Sequence, residues 1–117
     1  MKDKIVEDYF NQKVSEALNE ATKLFNILNS LNIVCRDIYF RINDIQDFDF
    51  LYMVDFESYL SDRLGEGFKE ALKIQKACKS RDLGFNFIFK PLTKHTKIDC
   101  ITADGYDLKY APKTRKT

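Results

Sequence analysis

The stretch Ile33 to Phe56, IVCRDIYFRINDIQDFDFLYMVDF, decides the fold class. In its first ten residues Val34, Ile38, Phe40 and Ile42 alternate with Cys35, Asp37, Tyr39 and Arg41. In its last nine, Phe48, Phe50, Tyr52, Val54 and Phe56 fall on one side. A period of two places successive side chains on opposite faces of an extended chain, and β-branched and aromatic residues suit such a surface. Between the two runs, the polar segment Asn43 to Asp47 reads as a loop, so the stretch predicts an antiparallel hairpin.

Helices flank it on both sides. Val6, Phe10, Val14, Leu18, Ala21, Phe25 and Leu28 recur every three or four positions between Ile5 and Leu31, the spacing of a long amphipathic helix. Its end is expected at Asn29 to Asn32, because Asn accepts the left-handed conformation that closes a helix. A second helix is expected between Ser58 and Lys79, with Leu60, Leu64, Phe68, Leu72, Ala71, Ile74 and Cys78 as its apolar side and Lys69, Lys73, Lys76 and Lys79 as its outer face. Gly65 and Gly67 weaken its first half by up to about 1 kcal/mol each relative to Ala. They predict a bend, a late start near Gly67 or a close approach to the sheet.

Leu83 to Lys90 alternates Phe85, Phe87 and Phe89 and stops at Pro91, which predicts a third strand. Ile98 to Ala103 and Tyr106 to Tyr110 read as two more strands joined by Asp104-Gly105, a two-residue hairpin signal. The order αββαβββ gives an α+β two-layer sandwich: an antiparallel sheet of four to five strands with two helices on one face and the other face free. Without its last strand the order is that of a permuted ferredoxin-like unit, an analogy of architecture only.

One core is expected over residues 1–110, with 111–117 as a flexible basic tail, since 117 residues are too few for two cores and Pro112 discourages further sheet. The net charge is +1. Residues 1–67 carry 7 basic against 13 acidic side chains, whereas residues 68–117 carry 12 against 5. Cys35, Cys78 and Cys100 are odd in number and widely spaced, which suggests neither a disulfide framework nor a zinc site. The charged start Met1-Lys2-Asp3-Lys4 has no apolar leader behind it, so a cytoplasmic protein is expected.

Patterns of chemistry are weak. Asp44, Asp47, Asp49, Asp55, Glu57 and Asp62 do not have the spacing of a calcium loop, and Gly65-Glu66-Gly67 supplies only part of a dinucleotide fingerprint. No metal and no cofactor are therefore expected. His95 is the only histidine, and no nucleophile elbow accompanies it. An enzyme would need a pocket assembled from Cys35, Asp37, Arg41, Asp55, His95 and Cys100.

Rings and cations near each other are the stronger hint. Tyr39, Tyr52, Tyr106 and Tyr110 fall on expected strands, Lys90, Lys94, His95, Lys97 and Lys109 lie on or beside them, and Lys113, Arg115 and Lys116 form the tail. Such a surface suits a non-enzymatic interaction or regulatory domain that binds another protein or a second copy of itself, given the acidic first half and basic second half. The alternative is single-stranded nucleic acid held by stacking and phosphate contact, although the near-neutral charge opposes it.

Overall fold

The expected hairpin is the centre of the sheet. Strands β1 (Cys35–Asp44) and β2 (Asp47–Asp55) pair antiparallel, with Phe40 opposite Phe50 and Ile38 opposite Tyr52. The computed structural model describes residues 2–112, and its other elements are α1 (Lys2–Ser30), α2 (Phe56–Tyr59), α3 (Arg63–Lys79), β3 (Gly84–Leu92), α4 (Ile98–Ala103) and β4 (Leu108–Tyr110). The chain is an α+β fold with one four-stranded sheet in the order β3-β2-β1-β4. The expected tail residues 113–117 lie outside the described residues.

The sheet is mixed, not antiparallel as expected: β3 runs parallel to β2, with Phe50 beside Phe87, while β4 is antiparallel to β1. The reason is the connection. A strand that follows a helix packed back over the sheet starts again at the end where the previous strand began. A bulge is the second departure. The register slips between Cys35 and Asp37, and so Cys35 enters the core in place of Val34, which is 41% exposed.

Both long helices pack on one face. Ala17, Ala21, Leu24 and Leu28 of α1 and Ala71, Ile74 and Cys78 of α3 meet Ile38, Phe40, Phe48, Phe50, Tyr52, Val54 and Phe85 of the sheet. Phe50 sits between two rings, with its centroid 5.4 Å from that of Phe40 and 5.0 Å from that of Phe85. Gly67 belongs to the helix and allows a close approach, to the end of α1 and the turn after it and not to the sheet as expected. A Cβ there would come within 2.9 Å of Leu28 and 3.0 Å of Ile33.

Three helices end in the same way. After α1, the Ile33 N–H donates to Leu28 O and the Asn32 N–H to Asn29 O; after α3, Leu83 donates to Cys78 O and Asp82 to Lys79 O. After α4, Tyr106 donates to Ile101 O and Gly105 to Thr102 O. Each is a Schellman closure, with a left-handed residue followed by a buried apolar one. The third explains why residues 98–103 are not the expected strand. Asp104-Gly105 serves as a helix stop, with Gly105 at φ 94°, instead of a hairpin turn. Asp82 holds φ 56° without being glycine, so Asp82→Gly is expected to stabilise the protein by about 0.5–1 kcal/mol. A urea midpoint that does not rise would contradict this.

The other face is not free either. Ile101 of α4 and Tyr106 cover Tyr39, Leu51 and Met53, with Leu92 alongside, and these make a second, smaller core. Arg41 fixes that cover: its Nε donates to Asp49 Oδ2 at 2.7 Å, one terminal nitrogen donates to Asp104 O at 2.6 Å, and its guanidinium lies 4.7 Å from the centre of the Tyr106 ring.

Candidate interaction surface

With one face under α1 and α3 and the other partly under α4, the longer exposed edge of the sheet is β3, the opposite edge being the three-residue β4. The Gly84 N–H donates to Gln46 O at 2.7 Å, which sets the alternation along the strand. The backbones of Gly84, Asn86, Ile88 and Lys90 therefore turn toward β2, and those of Phe85, Phe87 and Phe89 turn outward. Pro91 takes the next outward position, where its missing N–H costs the ladder nothing.

Two hollows lie end to end along this edge, between it and α3. One of about 360 Å³ runs beside Gly84 to Asn86 under Gln75, Lys76 and Lys79. Its neighbour, of about 400 Å³, runs beside Phe87 to Phe89 under Leu64 and Phe68. The walls of the second are apolar and partly uncovered. Phe68 is 49% exposed and packs edge-on against Phe87 at 5.4 Å, and Ile88 is 45% exposed. Leu72 and Leu60 are also exposed. Open strand edges with apolar side chains are sites where another chain can pair.

Charge along α3 is graded. Its first half carries Glu66 and Glu70, paired within the helix to Lys69 and Lys73, and its second half carries Lys73, Lys76 and Lys79. Gln75 reaches the strand, donating to Asn86 Oδ1 at 3.3 Å, and Asn86 Nδ2 donates to both Asp47 and Asp49 at 2.9 Å. Burial works to raise the Asp49 carboxyl, but the hydrogen bonds from Asn43, Arg41 and Asn86 outweigh it and hold that group below the ordinary carboxylate range.

The residues expected to form a binding face are dispersed. Tyr52 is fully buried in the main core, its hydroxyl donating to Ala21 O at 2.8 Å. Tyr39 and Tyr106 are buried in the second core, which closes these three rings to a stacking base. The half-buried Tyr110 shares a hydrogen bond with Thr22 Oγ1. Lys109 is held by Asp37 at 3.0 Å and lies over the Tyr39 ring. Lys90 is exposed on β3, and Lys94, His95 and Lys97 are exposed on the segment after it, where the His95 N–H donates to Thr93 Oγ1. Lys113, Arg115 and Lys116 lie outside the described residues.

The six residues considered for a catalytic pocket sit on both faces. Cys35 is in the main core, its thiol pushed up to about 12, chiefly by burial. Arg41 is on the opposite face against Tyr106, Asp55 lies 3.8 Å from Arg36, and His95 and Cys100 are exposed. Among the described residues, no group of three or more His, Cys, Asp or Glu side chains is placed to hold a metal ion.

Sequence reasoning put Leu60, Leu64, Phe68 and Leu72 on one apolar side with Ala71, Ile74 and Cys78; the last three are buried as expected, whereas Leu60, Phe68 and Leu72 are exposed. The signal was present. Two apolar rows on one helix span more than a single packed face requires. Compared with protein-family models, curated proteins and solved structures, the chain finds no significant match.

Proposed function

We propose that this chain is a non-enzymatic protein-interaction domain whose contact surface is the β3 edge with the α3 flank beside it. Its partner is an extended polypeptide segment with apolar residues at alternate positions. One observation carries the reading: the outward backbones of Phe87 and Phe89 border an apolar groove under α3 in which Phe68 is half exposed, and Ile88, on the opposite face of the same strand beside Leu51, is half exposed as well. Backbone hydrogen bonds to an added strand supply affinity, and the groove selects alternate side chains. The exposed apolar contact thus lies at the edge of the sheet and not on its open face, much of which is under α4.

Displayed random peptides selected on the wild-type chain, with the double variant Phe68→Lys, Ile88→Lys as counter-selection, test this. Selected peptides are expected to alternate apolar residues and to shift the amide resonances of Phe85, Phe87 and Phe89. A selection that yields only peptides indifferent to the double variant, or shifts confined to other elements, would overturn the reading.

A further inference from the structure

We infer that the segment received by this edge is β3 of a second copy, so that the chain forms a two-fold symmetric dimer with one sheet continuous through both subunits. The inference rests on the interaction surface proposed above and names its partner. It starts from the outward backbone groups. From Leu83 to Pro91 they fall on every second residue, and the two ends are closed. The Leu83 N–H is already spent on Cys78 O, and Pro91 has none. What remains open is Phe85, Phe87 and Phe89, a set symmetric about Phe87.

An antiparallel second β3 with Phe87 opposite Phe87 therefore satisfies the N–H and C=O of all three. Phe85 faces Phe89 of the other copy, each donating and accepting once, and Leu83 faces Pro91, where no donor is left over. No shifted register does this. Side chains agree with the backbone. The Phe87 and Phe89 rings of both copies line the same groove under α3, and Lys90 stands opposite Gly84, whose missing side chain leaves Asp47 of the adjacent strand within reach.

The helices agree as well. Because α3 returns the chain between parallel strands, it runs antiparallel to β3. Pairing the two β3 edges thus brings the two α3 helices side by side in opposite directions. Phe68 and Leu72, on the strand side of α3, then fill the seam between them. An isologous contact of this kind is self-complementary and closes on itself.

Sedimentation equilibrium and light scattering of the full chain are expected to give twice its 13.8 kDa mass. Phe68→Glu and Ile88→Lys, each at a half-exposed position, are expected to raise the dimer dissociation constant at least tenfold while the far-ultraviolet circular dichroism stays unchanged. A monomer up to millimolar concentration, or a dimer indifferent to both single variants, would overturn the inference. If peptides still bind the edge of a monomeric chain, the interaction surface stands and the second copy is not its partner. If neither is seen, both readings fall.

Discussion

Phe50→Ala is expected to destabilise the protein by about 3–5 kcal/mol, the range for removing a large ring from a packed interior. Phe50 is fully buried on the middle strand β2, stacked between Phe40 of β1 and Phe85 of β3, so one ring joins three strands under two helices. Neither neighbouring ring can close the space without leaving its own strand position. A domain of this size has about 5–15 kcal/mol of stability in total, so the variant should sit near the edge of folding. Urea denaturation read by circular dichroism gives the difference, with Phe68→Ala as a control expected to lose about 1 kcal/mol or less if the chain is kept monomeric. A loss below about 1 kcal/mol for Phe50→Ala would mean that the ring stack is not the centre of the core.

The second large effect is a loss of stability in alkali. Burial first, and then the charge of Asp37, push the Cys35 thiol up from 9.0 to about 12, against a weaker lowering by its bond to the Asp37 carbonyl. Burial pushes the Tyr52 hydroxyl in the same direction, well above its ordinary value of 10.0. Between pH 9 and 12 the unfolded chain has released the Cys35 proton while the folded chain keeps it. The unfolded state then binds fewer protons, and stability falls as pH rises, by up to about 1.4 kcal/mol per pH unit for this thiol. Below pH 9 both states hold the proton and the effect vanishes. Cys35→Ala removes one of these groups. Its stability is expected to fall less than that of the wild type between pH 8 and 10.5, by on the order of 2 kcal/mol. Equal slopes for the two proteins would contradict the assignment.

The hairpin, the long first helix and its stop at Asn32 were legible because each rests on local periodicity. Strand direction was not. Phe85, Phe87 and Phe89 announce a strand and its buried face, but the same alternation serves a parallel or an antiparallel neighbour. The intervening helix decides, and the sequence reading did not use it. Residues 98–103 were misread for a related reason: Ile98 and Ile101 suit a strand by composition, and Asp-Gly accommodates a hairpin or a helix stop equally. Tyr39, Tyr52 and Tyr106 were located on or near strands correctly in sequence, yet their burial depends on what lies over each face. The edge groove was the least visible feature, since it arises where an exposed row of α3 meets an end strand far from it in sequence.

The small core on the far face differs in kind from the main one. It is built from five buried residues, two of them in the segment formed by α4 and the turn after it, and that segment is tied to the sheet largely through Arg41. Local opening of residues 98–107 would expose little more than Ile101, Tyr106 and the parts of Tyr39, Leu51 and Met53 beneath them, while the ring stack beneath α1 and α3 stays intact. The protein thus has two tiers of cooperativity on one hairpin. Amide protection on the α4 side would be set by a shallow local equilibrium, and on β2 by global unfolding.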